Sequence, residues 1–259
     1  MSKRTAGILI LHGFTGTPEN VNTLAPPLEA LGFLYSMPTL RGHGADSPEA
    51  LRNVTWQEWM EDAQNALLEL LDKTEKAIIV GHSMGGMIAM NLAADYEKNI
   101  DSIIVLGSTT KLVSPFGPKR PLHFLVPIIS KIFNKWDMPI EYADYKLTQC
   151  HPAYKWAPTE AIVELFTFIK VTERRLPEVR LPILIMHSKK DHSNSPKGVD
   201  ALYRSISTPE DQKQIVWFEK TKHEMFLDCE RDAVIRNVVE FIVQRSKRDK
   251  TNQEILIAE

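Results

Sequence analysis

Cysteine is scarce in this chain: Cys150 and Cys229 are its only two in 259 residues. Two thiols cannot staple a small disulfide-bonded fold, and their spacing matches no metal site. Both are read as buried or idle thiols, and no metal or cofactor is expected. Long hydrophobic runs are missing as well. The apolar stretch Ala6–Leu11 follows Lys3 and Arg4 but is too short for a signal core, and it leads into His12-Gly13 rather than a cleavage site. No run approaches the length of a membrane span. Charge of one sign is not in excess either, since 31 Lys and Arg face 33 Asp and Glu for a net −2. That balance argues against a general attraction to nucleic acid or an anionic bilayer. Internal repeats and low-complexity tracts are also lacking. A cytoplasmic globular protein is expected, with no nucleic-acid partner and no stable membrane insertion.

What remains is an alternation of short apolar runs with helix-period segments. Strands are predicted at Ala6–Leu11, Phe33–Met37, Ala77–Val80, Ser102–Leu106, Ile183–His187 and Ile215–Phe218. Several are apolar nearly throughout, which suits parallel strands covered on both faces. A helix is predicted from Thr55 to about Leu71, with Trp59, Ala63, Leu67 and Leu70 on one face and a Thr55-x-x-Glu58 capping box at its start. Another is predicted from about Arg231 to Val243. This α/β pattern predicts a mostly parallel sheet flanked by helices. From Leu112 to Glu178 the rhythm breaks into prolines, aromatics and short helix-like pieces without a clean strand. Residues 112–178 are read as a cap (lid) inserted into a core of 1–111 and 179–245. Residues 246–259 are read as a flexible tail.

The chemistry is concentrated at Gly81-His82-Ser83-Met84-Gly85, between the apolar run Ala77–Val80 and a helical segment. A Gly-x-Ser-x-Gly there is a reversal so sharp that the serine is strained and its hydroxyl is lifted clear of the sheet. The flanking glycines are needed because a Cβ would collide with the neighbouring helix or strand. Serine needs a base, and the base needs a carboxylate to orient it. Asp191 sits just past the strand ending at His187, and His223 sits in the loop after the last strand, so both lie on the sheet edge that carries Ser83. His82 is expected to point away from Ser83, His187 lies on a strand, and His192 follows Asp191 too closely. Asp228 is the rival carboxylate. An oxyanion would be met by the backbone N–H groups of Met84, at a helix N-terminus, and Phe14, in the glycine-rich loop His12-Gly13-Phe14-Thr15-Gly16.

With these pieces and Leu40-Arg41-Gly42-His43-Gly44, the chain resembles an α/β-hydrolase, and more closely the bacterial carboxylesterases and monoacylglycerol lipases. The order Ser83, Asp191, His223 is that of the fold family. The resemblance implies a catalytic triad of those residues, an oxyanion hole at Phe14 and Met84, and a small-molecule carboxylic ester as substrate. No catalytic role is assigned to Arg41 or His43, which a structural ion pair or hydrogen bond explains as well. The chain departs from the full fold at its start, where the usual leading antiparallel hairpin is expected to be absent or reduced.

Specificity is expected to reside in the cap, where Leu122, Phe124, Leu125, Val126, Ile128, Ile129, Ile132, Phe133, Trp136, Met138, Ile140, Tyr142 and Tyr145 supply apolar surface for an acyl chain or for packing the cap on itself. Lys119, Arg120, Lys131 and Lys135 are read as a solvated face. Two other readings stay open: hydrolysis of another acyl bond (amide, thioester or carbon–carbon), and a ligand receptor on the same fold. An Asp-dependent dehalogenase or epoxide hydrolase is disfavoured by Ser83 at the elbow. A homodimer is compatible with all of them.

Overall fold

All six runs read as strands form one sheet. The computed structural model describes residues 4–138, 142–150 and 153–257, and at 4, 149–150 and 248–257 the backbone only. The strands are β1 (Arg4–Leu11), β2 (Leu34–Ser36), β3 (Thr74–His82) and β4 (Ile100–Leu106), followed after an inserted hairpin β5 (Lys135–Asp137) and β6 (Trp156–Pro158) by β7 (Ile183–Ser188) and β8 (Lys213–Phe218). Their order in the sheet is β2-β1-β3-β4-β7-β8, with every pairing parallel. The helices are α1 (Ala25–Ala30), α2 (Trp56–Leu71), α3 (Met84–Asp95), α4 (Val126–Ile132), α5 (Thr159–Arg175), α6 (Lys197–Ser205) and α7 (Arg231–Ile257).

Strand periodicity divides the interior into two cores. Leu9, Leu11, Ile79, Ile103, Val105 and Ile185 face a layer containing Trp59 and Leu67 of α2, Ile88 of α3, Phe168 of α5 and Leu202 of α6. Their alternates Ile8, Ile10, Ile78, Val80, Ile104 and Met186 face Leu28 of α1 and Val234, Val238 and Ile242 of α7. Burial on both faces is why these strands read as continuous apolar runs. Each fully buried aliphatic side chain contributes about 1.5–3 kcal/mol. The predicted capping of α2 is present, with Thr55 N donating to Glu58 Oε2 at 2.8 Å.

β1 and β3 are neighbours, yet the chain leaves them toward opposite sides of the sheet, to β2 and to β4. At such a switch point the loops after two adjacent strands diverge and leave a crevice at the strand carboxyl ends. Gly13–Gly16 follows β1 and Ser83 follows β3, so both flank that crevice.

The stretch 112–178 contains more regular structure than its pattern predicts. The β5–β6 hairpin pairs Trp136 with Ala157, and strands of three residues are too short to show a period. α5 is a single 17-residue helix rather than short pieces, and it lies against α3. Its buried face includes Thr159 and Thr172, and Asn91 Nδ2 of α3 donates to Thr172 Oγ1 at 2.8 Å. Polar groups that satisfy each other across the contact conceal the apolar period. α7 extends as helical backbone to Ile257, past the apolar face that ends near Val243. Arg245 in α7 holds buried Asp101 of β4 through two 2.8 Å hydrogen bonds.

Candidate active site

Ser83 adopts φ 52°, ψ −115° between β3 and α3, a region that costs a non-glycine residue on the order of 1–3 kcal/mol. The surrounding packing enforces it. A Cβ at Gly81 would overlap the Gly85 carbonyl, one at Gly85 would overlap the Leu11 carbonyl, and one at Gly86 would lie 2.6 Å from Ser108 Cβ. Ser83 N is tied to Leu106 O at 2.8 Å. The elbow is thus clamped between β1, β4 and its own helix.

Ser83 Oγ lies 3.1 Å from His223 Nε2, and His223 Nδ1 lies 2.8 Å from Asp191 Oδ2. A carboxylate can only accept, so Nδ1–H donates to Asp191 and leaves Nε2 to accept from the serine hydroxyl. Asp191 is 2% exposed; its Oδ1 accepts from Ser193 N at 2.9 Å and Asn194 N at 2.8 Å. Burial pushes its carboxyl up, but the His223 and His187 rings and the Asn194 amide outweigh this and hold it below the usual carboxylate range. Gly107 lies beneath the pair; a Cβ there would be 3.5 Å from His223 Nδ1 and 3.6 Å from Asp191 Oδ2.

His82 and His192 border the same cavity as Ser83, and the remaining candidates lie away from it. His82 lies buried under the site and donates Nε2–H to the His223 carbonyl at 2.8 Å. His187 Nε2 is 3.2 Å from Asn194 O and 3.6 Å from Asp191 Oδ2. Arg41 pairs with Glu58, Glu61 and Asp62, and His43 Nδ1 contacts the carbonyls of Leu40 and Arg41. Asp228 is buried and fully engaged as an acceptor. It takes hydrogen bonds from Lys222 N at 2.7 Å, Cys229 N at 2.8 Å, Ala143 N at 2.9 Å and Thr221 Oγ1 at 3.2 Å. It ties the loop before His223 to the inserted segment. Nothing in the local sequence signals that role, because its partners include residues 85 positions away.

Gly13 and Phe14 line the same cavity as Ser83, and Met84 opens α3. A Cβ at Gly13 would lie 3.1 Å from Ser83 Cβ, so the loop after β1 passes directly over the serine. Its bend is held by Gly16 N donating to Gly13 O at 3.1 Å, and by Tyr154 N donating to Thr15 O at 3.0 Å.

The cavity over Ser83 encloses about 330 Å³. Of the apolar residues singled out between Leu122 and Tyr145, Trp136 and Met138 line it. Phe124, Ile128, Ile132, Phe133 and Tyr145 are exposed instead, and Ile140 lies outside the described residues. Ile162, Leu165 and Phe166 of α5 and Leu112 and Val113 supply further apolar walls. These walls were hidden because α5 presents one face to the core and a neighbouring one to the cavity. Lys119, from the basic set, pairs with Glu173 at 2.6 Å while remaining largely exposed.

His12, His43, His82 and His187 are all buried. Burial disfavours the imidazolium and holds each below the ordinary range, His12 at about 4 and His43 at about 3. The unfolded chain therefore takes up protons first as pH falls. The stability these rings contribute is fully present above the unfolded value of 6.5 and is lost as pH drops toward the folded values. Thermal melts from about pH 8 to about pH 4 should show a level Tm above about 7 that falls steadily below 6.5. A Tm unchanged down to about pH 4 would contradict this.

A serine at a β–α reversal, a histidine beyond the last strand and a parallel sheet with this order define an α/β-hydrolase. The chain belongs to the family described as Serine aminopeptidase, S33 (Hydrolase_4), whose model matches residues 2–230. It is 26% identical over 240 residues to the thermostable monoacylglycerol lipase of Bacillus sp. (strain H-257), covering 93% of this chain and 91% of the relative. It is 23% identical to the carboxylesterase of Bacillus subtilis (strain 168), covering 91% of each chain. In fold it resembles a chain from work on LipS and LipT, two metagenome-derived lipolytic enzymes, with a TM-score of 0.82 at 24% identity, covering 93% of this chain and 95% of that one. It also resembles a soluble variant of monoglyceride lipase from Saccharomyces cerevisiae, with a TM-score of 0.76 at 19% identity, covering 94% of this chain and 87% of that one.

Proposed function

We propose that the protein hydrolyses carboxylic esters, short- to medium-chain acyl esters or monoacylglycerols, through an acyl-enzyme on Ser83. The observation that carries this reading is the continuous Ser83–His223–Asp191 hydrogen-bond chain opening on a largely apolar cavity. Ser83 Oγ attacks the ester carbonyl while His223 Nε2 takes its proton, and Asp191 stabilises the resulting imidazolium. The N–H groups of Phe14 and Met84 hold the tetrahedral oxyanion, aided by the dipole of α3. As the carbon–oxygen bond breaks, His223 returns the proton to the leaving alcohol. It then activates a water that attacks the acyl carbonyl and frees the acid and Ser83. Residues 112–178 act as a cap over the core of 1–111 and 179–245. Among the described residues no helix is long and apolar enough to cross a membrane; a cytoplasmic location is our reading.

Initial rates on p-nitrophenyl esters from acetyl to palmitoyl test this. A cavity of this size should favour short and medium acyl chains over palmitoyl. A folded protein that turns over none of them would overturn the ester reading.

A further inference from the structure

One lining residue carries a charge that the proposed chemistry leaves unused. Glu224 follows His223 directly and borders the cavity with Asn20 and Gly16. Its backbone carbonyl accepts from Leu227 N and Asp228 N, so the turn after His223 does not need its side chain. The side chain accepts from Asn20 Nδ2 at 3.3 Å, near the long end for a hydrogen bond. Asn20 is itself fixed, since its Oδ1 accepts from Thr17 N at 2.9 Å. A carboxylate has about four acceptor sites, and among the described residues no ion pair engages this one. Among the described residues, the rest of the lining is neutral or apolar apart from imidazoles.

An ester filling the cavity displaces water from Glu224, which is costly unless the substrate supplies donors. The location identifies which part of the substrate does so. Trp136 and Phe166, both in the lining, lie 6.3 Å apart between ring centroids, with Phe116 against Trp136 at 5.4 Å; this apolar wall suits an acyl chain. Glu224 follows His223 and borders the cavity with it, and in the proposed mechanism His223 protonates the leaving alcohol, which would place the alcohol portion on this side. We propose that Glu224, held by Asn20, recognises hydroxyl groups on the alcohol portion of the ester. It makes the site selective for esters of hydroxylated alcohols over plain alkyl esters, and against esters whose alcohol carries an anion. Hydroxyl donors give charge-assisted hydrogen bonds to the carboxylate, whereas an anion meets a like charge. This inference rests on the ester-hydrolase reading above.

The test uses one acyl group and three alcohols: ethyl butyrate, glycerol 1-monobutyrate and O-butyrylglycolate. Each is measured with the wild type, Glu224→Gln and Glu224→Leu, and kcat/KM is compared as ratios within each protein. Glu224→Leu should lower the glycerol-to-ethyl ratio about ten- to a hundredfold, the usual loss for a hydrogen bond to a charged group. Glu224→Gln retains an acceptor and should lower it less. The glycolate-to-ethyl ratio should rise in both variants. Ratios unchanged while absolute rates fall would overturn the proposal and leave Glu224 as a structural support for the His223 loop. A wild type without preference for the glycerol ester would also overturn it. If Glu224→Leu does not fold, the glycolate ratio of Glu224→Gln decides. Absence of Ser83-dependent hydrolysis of all three esters would bring down the ester reading and this inference with it.

Discussion

Alanine at position 83 is expected to lower kcat on every ester by about a ten-thousandfold to a millionfold while leaving the protein folded. In the proposed mechanism the hydroxyl is the atom that forms the acyl-enzyme, and no other serine, threonine or cysteine sits within the described hydrogen-bond chain of His223 and Asp191. Residual turnover would come from oxyanion stabilisation and substrate positioning alone. Stability should respond differently. The strain at φ 52°, ψ −115° belongs to the backbone, so alanine inherits it and the melting temperature should scarcely move. Glycine at the same position should abolish turnover equally and raise the melting temperature, because it adopts positive φ without the Cβ penalty. Burst kinetics with a p-nitrophenyl ester and thermal melts of the two variants check both halves. Wild-type rates from Ser83→Ala would remove the nucleophile from the proposed mechanism. An unchanged melting temperature in Ser83→Gly would mean that the elbow stores little strain.

The sheet was legible because strands covered on both faces have to be apolar at nearly every position, which is the pattern of Ile78, Ile79 and Val80 or of Ile183, Leu184 and Ile185. The elbow was legible for a local reason: Gly81 and Gly85 have no room for a Cβ, and that requirement lies within five consecutive residues. Asp191 and His223 could be selected because each follows a recognisable strand. Long-range partnerships left no such trace. Glu224 and Asn20 are 204 positions apart, and neither stands out from its neighbours. The cavity walls were not legible for a related reason. Phe124 and Phe133 are as apolar as Phe166 and Trp136, so only the fold determines which pair is exposed and which faces Ser83. Buried polar contacts concealed α5 in the same way, because Thr172 reads as a surface residue until Asn91 is placed beside it.

The two buried carboxylates near His223 should separate cleanly under the same substitution. Asp191→Asn keeps an oxygen for the amides of Ser193 and Asn194, so the loop should hold and the melting temperature should fall little. The amide nitrogen then faces His223 Nδ1 and turns that atom from donor into acceptor. The proton is displaced to Nε2, which can no longer take one from Ser83, and kcat should fall about ten-thousandfold. Asp228→Asn should show the opposite balance. Its carboxylate accepts from the amides of Lys222, Cys229 and Ala143 and from the Thr221 hydroxyl, and an NH2 group introduced among those donors must oppose at least one of them. Leaving buried donors unsatisfied costs on the order of 1–3 kcal/mol, so the melting temperature should drop by several degrees. The imidazole keeps its own acceptor in that variant, and kcat should fall only to the extent that the His223 loop loosens, by about tenfold. Paired kcat measurements and melts decide the matter. If Asp228→Asn proves more damaging to kcat than Asp191→Asn at equal folded fraction, the carboxylate that orients His223 is Asp228 and the chemistry assigned to Asp191 is wrong.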